Sequence, residues 1–294
     1  MKFIVSTDAA ADLDMSYIAQ RGIKVVSMKY YLKEHRSETE TEFVFGNGEP
    51  GLPIEEFYAK IRAGAQAKTA LIDIEQHKEY FNKLLAEGKD ILHIPLSSGL
   101  SGTAEFALAA AAELMKSRPG RKIIVVDFKG ASMGQGLFID YLADLRDKGK
   151  TVDEAAAWAN ENALKLCHYF TVDDLGHLKR GGRVSGTAAF IGSLLHIKPL
   201  LHVDDEGKLI PVGKILGRKK ALLNLVQKME QLAGKEKQRV FISHGDCETD
   251  ARFVADRVTE VFGITDIKIG FIGPIIGAHS GPGTVALFFM GANR

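Results

Sequence analysis

Three short stretches of this 294-residue chain gather residue types that can hold a small anion. The first is Leu96-Ser97-Ser98-Gly99-Leu100-Ser101-Gly102-Thr103, between an apolar run and an alanine-rich segment, so it reads as a strand-to-helix turn. A helix N-terminus presents unpaired N–H groups and the positive end of the helix dipole, and serine hydroxyls rotate to donate to a carboxylate. The same residues equally suit an N-cap and a tight turn. No Gly-Lys-Ser/Thr follows, which argues against a P-loop. The second stretch is Gly273-Pro274-Ile275-Ile276-Gly277-Ala278-His279-Ser280-Gly281-Pro282-Gly283. Its glycines impose an unusual backbone path, with His279 and the hydroxyl of Ser280 inside it. Such a histidine can donate to an anion, act as a base, or simply be satisfied by backbone in an exposed turn. The third is Leu178-Lys179-Arg180-Gly181-Gly182-Arg183-Val184-Ser185, where two arginines on a glycine hinge either fork onto a phosphate or carboxylate or stay solvated.

Other signals are weaker. His244-Gly245-Asp246-Cys247 mixes ligand types but lacks a second pair at metal spacing, so no metal is expected. Arg218-Lys219-Lys220 reads as the solvated start of a helix.

The elements that must position these stretches alternate. Strand-like runs at 3–5, 23–26, 91–96 and 123–126 are separated by helix-length segments, which implies a parallel sheet with crossover helices. Ligands of such sheets sit beyond the carboxyl ends of the strands, where Thr7-Asp8, Ser97-Ser98 and Asp127 fall. Residues 32–52 are polar and glycine-rich and are expected to form a loop, after which Pro53 opens a helix. Beyond about residue 165 the texture changes. A strand at 169–172, a hairpin about Asp204-Asp205-Glu206-Gly207, helices at 218–232 and 248–262, and strands at 240–243, 267–272 and 284–289 are expected. The architecture predicted is α/β in two domains, 1–163 with a Rossmann-like parallel sheet and 164–294 with a mixed or antiparallel sheet.

Composition narrows the function. Lys and Arg number 38 against 37 for Asp and Glu, a net charge of +1, so nothing draws nucleic acid or an anionic membrane globally. An anion must be held locally. The two cysteines, Cys167 and Cys247, form no C-x-x-C pair, which fits a reducing cytosol. Met1-Lys2-Phe3-Ile4-Val5 meets Asp8 almost at once and reads as a strand rather than a signal peptide. No stretch approaches the roughly 18 apolar residues of a membrane span. A cytoplasmic location is expected.

Taken in order, these segments resemble the DegV family nearly end to end. The family's opening Thr-Asp-Ser-Ser/Thr-Ala-Asp-Leu is similar to Thr7-Asp8-Ala9-Ala10-Ala11-Asp12-Leu13, and its Glu-Glu-Phe-Tyr helix to Glu55-Glu56-Phe57-Tyr58. Ser-Ser-x-Leu-Ser-Gly-Thr is intact from Ser97 to Thr103, and Leu-Lys-Arg-Gly-Gly-Arg-Ile-Ser appears at 178–185 with Val184 for isoleucine. Leu194-Leu195-His196-Ile197-Lys198-Pro199 and His279-Ser280-Gly281-Pro282-Gly283 complete the match.

The resemblance implies a carrier that binds a long-chain fatty acid in an apolar tunnel near the domain junction, with no metal or nucleotide cofactor. Its carboxylate would be held by Thr69, by Ser98 or the adjacent Ser97, and by His279, with Arg183 near the mouth. Residues 1–163 would hold the head group and 164–294 close the tunnel. Apolar material at Ala188-Ala189-Phe190-Ile191 and Leu194-Leu195 suits an acyl chain, each buried methylene contributing about 0.8 kcal/mol. The partners implied are a separate fatty acid kinase that makes acyl phosphate, and a membrane touched transiently for lipid exchange; a monomer is expected. Two departures make the head-group surroundings drier: Thr69-Ala70-Leu71-Ile72 stands for Thr-Ser-Gln-Pro, and Ala9-Ala10 replace serines.

Two other readings stay open. A serine esterase or acyltransferase would pair Ser98 with His279 beside an oxyanion-capable helix end. It lacks a G-x-S-x-G elbow and an obvious acid for His279, unless Asp8 or Asp127 comes close. A sensor of a shorter carboxylate would use the same clamp on a shorter tunnel, as the altered 69–72 segment hints.

Overall fold

The computed structural model describes residues 3–118, 120–184, 196–234 and 237–294. Along the chain, strand β1 (Ile4–Asp8) leads through a single 3₁₀ turn (Ala9–Ala11) to helix α1 (Met15–Arg21), β2 (Lys24–Val26), β3 (Met28–Lys33), β4 (Thr41–Gly46) and β5 (Glu49–Pro50). Then come α2 (Ile54–Arg62), β6 (Gln66–Thr69), α3 (Ile74–Leu85), β7 (Ile91–Ile94), α4 (Thr103–Ser117), β8 (Ile123–Val125), α5 (Ser132–Asp147) and α6 (Val152–Asn162). The remainder is β9 (Leu166–Thr171), α7 (Gly176–Arg180), β10 (Ile197–Val203), β11 (Leu209–Leu216), α8 (Arg218–Leu232), β12 (Val240–His244), α9 (Glu248–Phe262), β13 (Ile267–Phe271), α10 (Pro274–Ser280) and β14 (Val285–Met290).

The fold is α/β. The expected parallel sheet has the order β2-β1-β7-β8, every pair parallel. Its central strands are apolar on both faces because helices cover both. The later strands form a mixed sheet, β11-β10-β9-β14-β12-β13, in which only β12 and β13 run parallel. The Asp204–Gly207 region is the β10–β11 turn, with Gly207 N–H donating to Asp204 O at 2.9 Å. Helix α5 lies between the two sheets, packed on β1 and also on β9, β12 and β14, and twelve of its sixteen residues are buried. One apolar cluster therefore runs through both sheets, from Val5 and Phe138 to Phe241 and Phe288.

Residues 32–52 are not a loop. They hold most of a third, antiparallel sheet of order β5-β4-β3-β6. Its central strand alternates buried Met28, Tyr30 and Leu32 with more exposed Lys29, Tyr31 and Lys33, the period of a half-buried strand. The strand begins upstream of the polar stretch, so Glu34, His35, Arg36 and Glu38 belong to the connection into β4. Tyr30 stacks on Phe43 with ring centres 5.2 Å apart. Register pairs Tyr30 with Thr69, so this sheet sets the position of Thr69.

The glycine-rich stretches also differ from expectation. The segment at 273–283 contains helix α10, begun by Pro274 at its first position and ended at Gly281, whose φ is 74°. Of the basic loop, Lys179 and Arg180 lie on α7. Ser185, Ala188-Ala189-Phe190-Ile191 and Leu194-Leu195 lie outside the described residues. No described helix is long and apolar enough to cross a membrane.

Candidate functional site

A cavity of about 430 Å³ opens between the sheets. That volume lies within the roughly 300–1,000 Å³ of small-molecule sites. Leu96, Leu100, Phe170, Ile275, Ile276 and Phe288 make its walls mainly apolar. A second cleft of about 720 Å³ adjoins it and is lined by Lys68, His177 and Arg180. Thr69, Arg183 and His279 line both, so they form the wall between an apolar inner chamber and a cationic outer one.

Each wall residue is set by a different element. Thr69 ends β6, and its Oγ1 lies 2.9 Å from His279 Nε2 near the end of α10. Arg183 follows α7 and donates from Nε to Leu100 O at 3.3 Å and from Nη1 to Gly181 O. Gly181 covers the other face of the imidazole: a Cβ there would stand 2.4 Å from His279 Nδ1, which has no partner among the described residues. Burial, and then the Arg183 charge, push the imidazole down to about 4. At neutral pH His279 is therefore an uncharged hydrogen-bonding group, and Arg183 supplies the positive charge. A clamp of one hydroxyl, one neutral imidazole and one guanidinium suits a single carboxylate.

Ser280 also lines the inner chamber, and its Oγ has no partner. Ser97 and Ser98 line neither chamber. Ser97 is buried under the β10–β11 turn, donating to Gly207 O at 2.9 Å and accepting from Gly99 N–H at 3.0 Å. Ser98 Oγ accepts from Lys129 Nζ at 2.5 Å, and Lys129 pairs with Asp127 at 2.7 Å. The turn covers the first two serines because the chains meet at Gly99, where a Cβ would fall 2.6 Å from Gly207 O. The serine that reaches the chamber is Ser101, with Oγ 3.0 Å from Thr103 Oγ1. Its signal was its place in the same motif, one residue closer to the helix start. Of the two departures, Ala70 and Leu71 line the inner chamber, whereas Ala9 and Ala10 are packed in the core.

No group of three or more potential metal-ligating His, Cys, Asp or Glu side chains gathers among the described residues. His279 faces no acid: Nε2 meets Thr69, and Nδ1 meets no partner. Asp8 is used elsewhere, accepting from Leu96 N–H at 2.6 Å and from Gln135 at 3.0 Å, with burial pushing its carboxyl up to about 6.

A sequence profile described as "Uncharacterised protein, DegV family" matches residues 2–292. The chain belongs to the DegV family. A DegV domain-containing protein from Clostridium perfringens is 42% identical over 294 residues, covering 100% of this chain and 99% of its own. This DegV protein also superposes on solved relatives. A DegV lipid-binding protein from Thermotoga maritima has a TM-score of 0.84 and 29% identity, with 100% of both chains covered. A DegV family protein from Thermus thermophilus, described by its fatty acid binding, has a TM-score of 0.85 and 26% identity, covering 99% of this chain and 100% of the relative.

Proposed function

We propose that this DegV protein binds a long-chain fatty acid and presents its carboxylate to a separate fatty acid kinase. The hydrocarbon occupies the inner chamber, and the carboxylate meets Thr69, Arg183, His279 and Ser101, with Ser280 alongside. The observation that carries this reading is that Thr69, Arg183 and His279 line both chambers, so a head group held there faces outward while its tail stays in apolar surroundings. About ten buried methylenes contribute roughly 8 kcal/mol, enough to offset much of the cost of immobilising the ligand. Thr69 and Ser101 come from the proposed head-group half, 1–163, and Arg183, His279 and Ser280 from the half proposed to close over it, 164–294. The fatty-acid-binding descriptions of the Thermotoga and Thermus relatives support the ligand class.

A hydrolase draws no comparable support, since Ser98 engages Lys129 while His279 engages Thr69. Native mass spectrometry and lipid extraction of the bacterially expressed chain test the reading: a stoichiometric fatty acid is expected. A protein that purifies empty and takes up no fatty acid in titration refutes it, and tighter binding of short acids favours a sensor instead. Failure to yield acyl phosphate with the fatty acid kinase of the same bacterium removes the hand-off and leaves the binding.

A further inference from the structure

Asp12 belongs to the Thr7–Leu13 motif of the sequence yet lines neither chamber. It is 7% exposed and closes the 3₁₀ turn after β1 in the left-handed region, with φ 51° and ψ 27°. Its carboxyl joins the two helices that carry the inner wall. Oδ1 accepts from Gly273 N–H at 3.0 Å, at the start of α10, and Oδ2 accepts from Ser132 Oγ at 2.6 Å, at the start of α5. Ser132 Oγ is in turn 3.0 Å from Ser243 Oγ on β12. Ser132 holds φ 56°, a conformation that is costly for a residue with a side chain and persists only where surroundings enforce it. Gly273 is fitted to the carboxyl, since a Cβ there would stand 2.8 Å from Asp12 Oδ1. The other tether at this end of α10 is Tyr58 on α2, whose hydroxyl donates to Ile272 O at 2.8 Å. His279 lies six positions beyond Gly273 (279 − 273), about 9 Å along a rigid helix, so a tilt at the start of α10 moves the imidazole away from Thr69.

We propose that Asp12 is the positioning residue of the clamp: by holding the Gly273 N–H and the Ser132 hydroxyl together, it sets where α10 places His279 against Thr69. This inference rests on the proposed binding of a fatty acid carboxylate.

The same carboxyl gives the clamp a dependence on pH. Burial pushes Asp12 up to about 8; the Ser132 and Gly273 hydrogen bonds oppose that, and the nearby Asp8 on β1 adds to it. The Tyr58 hydroxyl on α2 feels the same charge, and no cation among the described residues pairs with Asp12. The neutral carboxyl tolerates a ligand carboxylate. The ionised form places a second negative charge behind the chamber wall, so affinity falls as pH rises through 8.

The test titrates the full chain, as wild type, Asp12→Asn and Asp12→Ala, with a fluorescent long-chain fatty acid. Asp12→Ala weakens binding about 10- to 100-fold, the scale of losing hydrogen bonds to a carboxyl. Asp12→Asn keeps an oxygen for Gly273 N–H and recovers most of the affinity, and its affinity no longer declines between about pH 7 and 9. A histidine titration by NMR on ligand-free protein gives a second readout: the His279 midpoint, about 4 in the wild type, rises in Asp12→Ala as the imidazole gains water. If the wild type binds and both variants bind as tightly with the same pH slope, the inference is overturned. If the wild type binds nothing, the binding reading fails, and an unchanged His279 midpoint then sinks the positioning role as well. Should Asp12→Ala not fold, the pH profile and His279 midpoint of Asp12→Asn decide.

Discussion

Replacing Thr69 by valine keeps the shape of the side chain and removes one hydroxyl from the wall between the chambers. In the wild type that hydroxyl stands 2.9 Å from His279 Nε2 and is free to bridge the imidazole and a ligand carboxylate. Losing a hydrogen bond to a charged group costs about 1.5–3 kcal/mol, or roughly 10- to 150-fold in Kd. The lower end is expected, because Nε2, released from Thr69, can itself donate to the carboxylate. The ligand-free protein bears a separate cost. His279 already lacks a partner at Nδ1, and Thr69→Val leaves both nitrogens unsatisfied in a half-buried site, for a loss of about 1–3 kcal/mol of stability. Displacement of a fluorescent fatty acid measures the first effect and urea denaturation the second. Repeating the titration with the methyl ester of the same acid separates charge recognition from packing, since the ester binds wild type and variant alike. A Kd for the acid within twofold of wild type, or an equal loss for acid and ester, refutes the assigned clamp.

Three further outcomes follow from the geometry. Gly181→Ala places a methyl against His279 Nδ1, so fatty acid affinity falls about 10-fold or more by titration while the circular dichroism spectrum is kept. His77, His93 and His168 are held below the ordinary imidazole value mainly by burial, and His279 falls to about 4. The unfolded chain therefore takes up protons first as pH falls below 6.5, so these groups lower stability progressively from there toward about 4. Denaturation midpoints measured at steps across that window show a decline that His77→Phe makes shallower. Asp140 has a fully buried side chain bound by Tyr17, Arg21 and Arg239; Asp140→Ala strands two arginines and costs about 3 kcal/mol by denaturant titration.

The parallel sheet and the helices at 218–232 and 248–262 were legible because their apolar periods are long and uninterrupted. The third sheet was hidden by composition. Only Leu32 and Lys33 of β3 fall inside the polar stretch, and β4 starts with Thr41 and Glu42, so the alternation that reveals a strand straddles the boundary of the apparent loop. Helix α10 was concealed by its glycines, which normally punctuate turns; here Gly277 is accommodated because Tyr58 OH occupies the space a Cβ would need. Which serine of Ser97, Ser98 and Ser101 reaches the chamber depends on the β10–β11 turn descending from 110 residues away in sequence, as the Ser97–Gly207 bond shows, and no local spacing contains that information. Asp12 was visible in its motif, but its role depends on Gly273, 261 residues further along the chain.

Because Thr69, Arg183 and His279 stand between an apolar chamber and a cationic one, the two ends of a bound fatty acid are not interchangeable. Insertion in reverse would leave a carboxylate beside Phe170 and Phe288, at a cost of several kcal/mol. A dicarboxylic acid of matching length thus has no acceptable direction of entry: whichever end goes first carries its charge into the hydrocarbon chamber. Its exclusion would come from polarity alone, with no change in size or shape.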